Sequence, residues 1–148
     1  MTTSMEVLAA QRREITEIAS TLRAMLSPVP LQNRPVAQAA RRLLCDLCRK
    51  TGAHLEEEGE DLYPSLLAFG DIRIQHLAWG FQASDRPLQQ LFEDYERRWL
   101  RDCDFEFTQR FLTDTVELLD AIEKRVRREQ QVMIPQIEEA GIFPRATA

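Results

Sequence analysis

The segment "AHLEEEGEDLYPSL" (residues 53–66) decides the fold of this chain. Its apolar residues recur at helical spacing, and one of only two histidines in the chain, His54, lies four residues before Glu58. Side chains four residues apart lie on one side of a helix, so this histidine and this carboxylate point toward the same place. A polar pair that continues an apolar helix face indicates a buried site in a helical protein.

The composition limits the chain to one domain, which we expect to span residues 1–148. The 148 residues are 44% hydrophobic, enough for a sizeable core, and no internal stretch is rich in glycine, proline and serine. Only five glycines and long runs of Ala, Leu, Glu, Gln and Arg favour helices, and no segment alternates as strands do. The sequence therefore predicts an all-α protein.

Start and stop signals divide the chain into helices. The capping box "TSME" (residues 3–6) opens helix 1, which we expect over about residues 4–27. Helix 2 is expected to begin near Asn33 and Pro35, where a cap residue precedes a proline that suits a first helical turn. It ends at Gly70, and Pro64 kinks or loosens its last turns.

The second half of the chain contains two further helical regions. Asp71 can cap helix 3, which extends to about residue 100. The order of residues in "ASDRP" (residues 83–87) is typical of a helix start, so helix 3 is either one helix kinked near Pro87 or two helices. Helix 4 is expected to begin after Asp104 and to end at Gly141. Four helices with short connections predict an up-down antiparallel four-helix bundle.

Helices 2 and 4 both continue their apolar stripes into polar pairs. The stripe of helix 2 leads into His54 and Glu58, and that of helix 4 leads into Arg125 and Glu129. Alternatively, His54 is a core histidine satisfied by one hydrogen bond, the glutamates reach solvent from the stripe edge, and Arg125 extends its charged end to water. If all four side chains point inward, they form one polar site in the bundle core.

The two helices also resemble each other along their length. An offset of 71 residues places four residues of helix 2 on identical residues of helix 4: Leu47 on Leu118, Glu58 on Glu129, Pro64 on Pro135 and Gly70 on Gly141. In this alignment His54 corresponds to Arg125. The shared proline and glycine stop signals favour duplication of a helix pair.

The charge and the hydropathy of the chain argue against nucleic acid and membranes as partners. The net charge is −5, the pI is near 5.1, and the one dense basic run, "KRVRR" (residues 124–128), lies beside Glu123 and Glu129. No apolar run reaches the roughly 20 residues of a membrane span, and the first residues do not resemble a secretion signal. We therefore expect a cytoplasmic protein.

Cysteines and aromatic residues are assigned to the core. Cys45 and Cys48 have the spacing of redox pairs, but they lie inside a predicted helix rather than at its N-terminus, so we expect two buried small side chains. A zinc site would need a second Cys or His pair, which the sequence does not contain. Four aromatic residues of helix 3 are also expected in the core: Trp79, Phe92, Tyr95 and Trp99.

Three segments resemble the hemerythrin-like (HHE cation-binding) family, and in particular its bacterial branch. They are "AAQRREITEIASTLRAML" (residues 9–26), "LLCDLCRKTGAHLEEEGEDLYPSLL" (residues 43–67) and "LLDAIEKRVRREQQVMIPQIEEAG" (residues 118–141). The second segment has the histidine, the glutamate four residues later and the apolar-aromatic-proline ending of the family pattern. The resemblance implies a four-helix bundle around a non-haem di-iron centre, used for oxygen binding, for iron or redox sensing and for signalling.

The resemblance implies only part of the family's metal ligands in this chain. His54 and Glu58 match the second-helix pair, and Glu129 can stand in for the carboxylate of the fourth helix. In helix 3, His76 is the one candidate ligand, and Ser84 lies where related bacterial sequences often carry a carboxylate. Two histidines cannot supply a histidine-rich di-iron set, so the resemblance indicates a degenerate site.

Arginines stand where the resemblance places two further histidines, Arg12 in helix 1 and Arg125 in helix 4. We hypothesise that they form a buried ion-pair cluster with Glu58 and Glu129 in place of a metal, with His54 hydrogen-bonded to it. A guanidinium stays charged and offers planar, bidentate donors to carboxylates. Because an isolated buried charge costs several kcal/mol, inward-pointing residues of this kind must pair with one another.

Two classes of function follow from these expectations. The first, which we prefer, is a non-enzymatic bundle without a cofactor that acts as a regulatory or protein-interaction module in signalling or stress response, with an unidentified protein partner. The second is a redox or oxygen sensor that binds iron or another dication through His54, Glu58, Glu129 and His76. Positive charge at two ligand positions favours the first class, because it repels a cation. We predict no catalytic residues, since the sequence shows no nucleophile or substrate-pocket signature.

Overall fold

Four long helices build the fold, as seen in a computed structural model that describes residues 5–27, 31–101 and 108–142. All of the regular structure in these ranges is helical. The α-helices are α1 (Met5–Met25), α2 (Arg34–Glu57), α3 (Tyr63–Ala68), α4 (Ile72–Tyr95), α5 (Gln109–Arg128) and α6 (Ile134–Ala140). Three π-helical turns extend or join them: Glu58–Leu62 between α2 and α3, Glu96–Leu100 after α4, and Glu129–Met133 between α5 and α6.

The long helices are therefore α1, α2 with α3, α4, and α5 with α6. The first packs against the second and the fourth, and the third packs against the fourth and against the second, mainly where α3 meets α4. Helices that follow one another in the chain are thus neighbours in space, which makes the bundle up-down and antiparallel. The predicted all-α four-helix bundle is confirmed.

The predicted signals mark both ends of the second long helix and the start of the third. The side chain of Asn33 accepts a hydrogen bond from the amide of Val36, 3.3 Å away, and caps α2. Asp71 caps α4 in the same way through the amide of Arg73, at 2.9 Å. Gly70 has a φ of +88°, which a residue without a Cβ adopts at little cost.

Other predicted boundaries need correction or lie outside the described residues. The first two residues of the capping box fall outside them, and α1 is described from Met5 to Met25. Asp104 also falls outside them, and α5 begins at Gln109 with Thr108 as its cap, whose hydroxyl accepts from the Phe111 amide at 3.2 Å. The fourth helix ends at Gly141 as predicted, with a φ of +68°.

The α4 helix continues without a break through Pro87, so the interpretation of this region as two helices is wrong. Phe81, Leu88 and Phe92 lie on the same buried face on both sides of the proline. Their burial maintains the helix although an internal proline loses one backbone hydrogen bond. Ser84 does not cap a new helix, because its hydroxyl donates to the carbonyl of Phe81 at 2.8 Å.

The second and fourth helices repeat each other in structure as well as in sequence. Their π-helical turns, Glu58–Leu62 and Glu129–Met133, are 71 residues apart, and each turn is followed by a helix with proline in its first positions. Each turn contains a backbone hydrogen bond between residues five apart. The amide of Tyr63 donates to the carbonyl of Glu58, and the amide of Ile134 donates to the carbonyl of Glu129. The wide turn is thus a shared feature of the two copies.

A layer of polar side chains divides the apolar core into two parts. The large core surrounds residues such as Leu44, Leu47, Phe111 and Leu118. The small core lies beyond the polar layer, where the second and fourth helices end, and it is formed by nine buried residues: Leu8, Leu62, Tyr63, Leu66, Ile74, Ala78, Phe81, Met133 and Ile137.

The core assignments of the cysteines and aromatic residues are only partly right. Cys48 is buried, which raises the pKa of its thiol to about 12, but Cys45 is exposed. Phe92 and Tyr95 are buried, whereas Trp79 is 50% exposed, because it lies on the outer face of α4. Ala78 and Phe81 occupy the buried face of this part of α4, which leaves Trp79 on the outer side.

Candidate functional site: a buried polar layer

The polar layer contains six buried ionisable residues, each at most 9% exposed, that come from all four long helices. They are Arg12 from α1, His54 and Glu58 from the second helix, Asp85 from α4, and Arg125 and Glu129 from the fourth helix. Helical periodicity places each of them on the face that carries apolar residues one turn before and after. The layer is therefore a part of the core and not a surface feature.

Glu129 is the carboxylate with the most partners in the polar layer. Its Oε2 accepts a hydrogen bond from Nε of Arg125 at 2.9 Å, one turn away on the same helix. Its Oε1 accepts from a terminal nitrogen of Arg12 at 3.3 Å and lies 2.9 Å from Nε2 of His54. Burial by itself would raise the pKa of Glu129, but the hydrogen bond from His54 and the positive charges around it hold that pKa below its ordinary value.

Arg125 connects the fourth helix to the other polar groups through its two terminal nitrogens. One nitrogen forms an ion pair with Asp85 and a 3.0 Å hydrogen bond with the hydroxyl of Ser84. The other donates to the hydroxyl of Tyr63 and lies 3.4 Å from Oε1 of Glu58. Burial opposes the charge of this guanidinium, yet the surrounding acidic groups raise its pKa above the ordinary value, so it stays charged.

Gln11 orients His54 from outside the layer. The amide nitrogen of Gln11 donates to the carboxylate of Glu57, so its Oε1 faces Nδ1 of His54 at 2.7 Å. Nδ1 must then carry a hydrogen and donate it. Nε2 consequently points at the two carboxylates, 2.9 Å from Glu129 and 3.4 Å from Glu58.

The charges of the polar layer balance when it holds one additional proton. Its three carboxylates, Glu58, Glu129 and Asp85, face two guanidiniums. Burial, together with the negative charge of Glu129, raises the pKa of Glu58 well above its ordinary value, and burial also raises that of Asp85. The raised pKa of Glu58 makes this carboxyl the group on which one proton compensates for the remaining negative charge.

The structure brings together all four residues of the hypothesised ion-pair cluster, with His54 bound to Glu129. It does not bring in His76, which is exposed on α4 with its ring centroid 5.6 Å from that of Trp79. His76 therefore does not lie with the candidate ligands His54, Glu58 and Glu129. Ile74 and Ala78 occupy the inner face of this part of α4 instead.

Two residues of the site were missed by sequence reasoning: Tyr63 and Asp85. Asp85 is the acidic partner in α4, next to Ser84, where a carboxylate was sought. The sequence contained a usable signal, because Phe81, Asp85, Leu88 and Phe92 follow one helical stripe once α4 is continuous. The sequence left open whether Gln11 or Arg12 faces the core, and both side chains reach the site, Gln11 at His54 and Arg12 at Glu129.

The ligand atoms present at the site can be compared with the donors that a di-iron centre requires. His54, Glu58 and Glu129 each offer one ligand atom, all within 4.8 Å of one another, and they are the one such buried group among the described residues. Two iron ions would need more donors than these three, and both carboxylates already have a guanidinium within 3.4 Å. The residues present do not fit two metal ions.

The fold and the site define a class, a four-helix bundle whose interior carries carboxylates and histidine from several helices at one level. The chain belongs to the hemerythrin HHE cation-binding domain family, whose sequence profile matches residues 3–145. This confirms the family to which the sequence was compared. Neither curated proteins nor solved structures give a significant match. Among the described residues, no helix combines the length and the apolar composition that crossing a membrane requires.

Proposed function

We propose that this chain is a non-enzymatic member of the hemerythrin-like family in which a buried ion-pair layer takes the place of the di-iron centre. In this proposal it is a cytoplasmic regulatory or protein-interaction module of bacterial signalling or stress response, and it acts through a protein partner. The observation that carries the proposal is the environment of Glu129, which binds Arg12 and Arg125 at once.

The arginines support this proposal through their position as well as their charge. Arg12 and Arg125 stand at the two positions where the resemblance to the family implies histidine ligands, and both side chains are nearly inaccessible to solvent. A guanidinium supplies the positive charge that balances buried carboxylates, and it needs no open coordination position. The layer can therefore hold the four helices together without a metal.

The burial of the layer also supports a non-enzymatic role. Glu58 and Glu129 are completely buried, and His54 is 2% exposed. A catalytic group must reach a substrate, whereas the charged atoms of these residues contact one another. The net charge of −5 supports a protein rather than a nucleic acid as the partner.

Metal analysis of the purified protein tests the proposal. The chain would be produced in iron-supplemented medium, purified without chelator or histidine tag, and analysed for metal content and near-ultraviolet and visible absorption. We expect a folded protein without stoichiometric metal. Two irons per chain with oxo-bridge absorption would contradict the proposal.

A second candidate function is a sensor that binds one iron or another dication through His54, Glu58 and Glu129. The specific observation in its favour is the contact of Gln11 with His54, which directs Nε2 toward both carboxylates as an outer-shell partner does in metal sites. Oε2 of Glu58 is also buried without a hydrogen-bond partner among the described residues, which leaves one free acceptor.

Thermal melts separate the two candidates. A ligand that binds only the folded state raises the melting temperature, by the equivalent of about 2.7 kcal/mol at a hundredfold excess over its Kd. If the sensor proposal holds, Fe²⁺ or Zn²⁺ added anaerobically raises the melting temperature and Glu58→Gln abolishes the shift. If the ion-pair proposal holds, neither metal shifts the wild-type melt.

A further inference from the structure

A small groove lies between α4 and α5 on the outer side of the polar layer. Its volume is about 260 Å³, and its floor is apolar, formed by Leu88 and Leu91 from α4 and Ala121 from α5. Ser84 and the buried Arg125 line the same groove, so it adjoins the polar layer.

The rim of the groove is positively charged. Lys124 and Arg128 are both exposed and lie one helical turn apart on α5. Among the described residues, no acidic side chain lines the groove, and neither Lys124 nor Arg128 forms an ion pair with a carboxylate. The guanidinium of Arg128 instead lies 4.9 Å from the ring centroid of Phe81. This positive rim contrasts with the net charge of −5 for the whole chain.

An apolar floor beneath two uncompensated cations is complementary to a small organic anion with an apolar body. The cations bind a carboxylate group, and the floor removes the apolar part of the ligand from water. A partner helix, about 10 Å in diameter, would need a longer and wider groove than a volume of about 260 Å³ provides. The size of the groove therefore favours a small molecule over a peptide.

We propose that the groove between α4 and α5 binds an amphiphilic monocarboxylate, with its carboxylate on Lys124 and Arg128 and its apolar body on Leu88, Leu91 and Ala121. Arg125 senses the bound anion, because the same side chain lines the groove and holds Glu58, Asp85 and Glu129 inside the bundle. This sensing step rests on the proposed regulatory function, while binding of the anion does not.

Octanoate is a suitable probe, and it can be titrated into the ¹⁵N-labelled full chain while amide and arginine side-chain resonances are recorded. We expect saturable shifts at Leu88, Leu91 and Ala121, accompanied by a shift of the Arg125 Nε resonance. Octanol has the same body without the charge, and acetate has the charge without the body, so both should bind at least about tenfold more weakly.

Matched variants locate the charge requirement. Lys124→Gln combined with Arg128→Gln removes the two rim cations at exposed positions and should weaken octanoate binding by about tenfold or more. Arg127→Gln removes an exposed cation from the same helical turn outside the groove, and it should leave the affinity within about twofold. Equal affinities of the double variant and the wild type would overturn the proposal, and so would shifts elsewhere on the bundle or equal binding of octanol.

Two further outcomes separate this inference from the proposed function. Saturable binding with no change at Arg125 would keep the anion site but overturn the sensing step. Absence of octanoate binding by a folded, metal-free protein would overturn the anion site and leave the ion-pair layer intact. Metal found by elemental analysis would count against the ion-pair layer alone.

Discussion

Glu129 is the carboxylate of the site that contacts the most cationic and histidine side chains, three in number among the described residues. This carboxylate is completely buried, and it accepts hydrogen bonds from Arg12 and Arg125 and contacts His54. Burying a carboxylate costs several kcal/mol, and contacts with charged donors offset that cost only while all partners stay in place. The stability of the bundle should therefore depend more on Glu129 than on any one of its partners.

Replacing Glu129 by glutamine tests this dependence. Glu129→Gln leaves Arg12 without a carboxylate partner among the described residues and takes one from Arg125, so we expect a loss of about 3–5 kcal/mol in the free energy of unfolding. Arg12→Met removes one partner and leaves Arg125 and His54 on the carboxylate, so its cost should be smaller, about 1–3 kcal/mol. Urea denaturation monitored by circular dichroism measures both values.

The double variant and a surface control complete that experiment. Arg12→Met with Glu129→Gln should cost less than the sum of the single changes, because Arg12→Met removes the guanidinium that Glu129→Gln leaves unpaired. Glu138→Gln, at an exposed position of α6, should change the stability by no more than about 0.5 kcal/mol. Additive costs would contradict the ion-pair layer.

The raised pKa of Glu58 gives the stability of the bundle a distinct pH dependence. A carboxyl whose pKa is higher in the folded chain contributes its full stabilisation below the unfolded pKa and loses it as the pH rises through the folded pKa. Glu58→Gln retains the shape of the protonated acid and does not titrate. Above about pH 4.5, the wild type should therefore lose stability relative to this variant, by up to about 1.4 kcal/mol per pH unit.

Unfolding free energies measured from pH 5 to 8 check this expectation. Glu56→Gln, two residues away and exposed, serves as the matched control and should give a curve parallel to the wild type. If the wild-type and Glu58→Gln curves are also parallel, Glu58 does not take up a proton on folding.

Sequence reasoning predicted the inward direction of the charged residues but not all of their partners. His54, Glu58, Arg125 and Glu129 could be placed because each continues an apolar stripe by one turn. Asp85 was missed because "ASDRP" resembles a helix start, and local capping preference was given more weight than the stripe that passes through it. Partners on other helices, such as Tyr63 for Arg125, depend on packing angles that periodicity does not contain.

At the scale of the elements, the π-helical turns of the second and fourth helices keep the buried face straight and accommodate the proline that follows each turn. Buried residues repeat at intervals of four around each turn, in the order Arg125, Glu129, Met133, Ile137 in the fourth helix. In an ordinary α-helix with 3.6 residues per turn, each interval of four rotates the stripe by about 40°. A wider turn reduces this drift, and it also lets Pro135 follow without clashing with the preceding turn.

Deletion of Gln130, an exposed residue inside the wide turn, tests this account. The deletion should turn the π-helical turn into an α-helical one and keep the buried face, but it places Pro135 inside a regular helix at a cost of about 3 kcal/mol. Adding Pro135→Ala should recover most of that loss in a thermal or urea melt.

Deletion of Glu117 is the control for that experiment, since Glu117 is exposed within the regular part of α5. Removing it rotates everything that follows by about 100° relative to the preceding part of the helix. The stability should fall severely, and Pro135→Ala should not recover it. Equal damage and equal recovery for the two deletions would show that the π-helical turn has no such role.

The existence of each long helix could be predicted, whereas the wide turns could not. Asn33, Asp71, Gly70 and Gly141 define helix ends by their own chemistry, so the sequence is sufficient there. Pro64 indicated a loosened segment, but whether a helix kinks or widens depends on the neighbours that its buried face must contact.

At the scale of the whole molecule, the polar layer is the connection between two apolar cores. The small core contains nine buried residues and lies where α3 and α6 complete the second and fourth helices. Each long helix contributes at least one charged group to the layer, so separating the small core from the large one requires breaking ion pairs. We therefore expect the bundle to open as one unit.

Native-state hydrogen exchange can detect this cooperativity. In the wild type, amides of Leu66 and Ile137 in the small core should exchange with the same free energy as those of Leu44 and Leu118 in the large core. In Glu129→Gln, the first pair should exchange faster while the second pair follows global unfolding. Separate opening of the small core in the wild type would contradict the connecting role of the layer.

The repeat of 71 residues has a consequence for protein engineering. His54 and Arg125 occupy the same place in the two copies, so the polar layer is asymmetric where the backbone is symmetric. Arg125→His would make the copies alike at this position, and Arg12→His would remove the other fixed cation from Glu129. The backbone would keep its wide turns and caps, since neither substitution touches them. The two substitutions would therefore add two possible metal ligands beside His54, Glu58 and Glu129 in a bundle that keeps its backbone.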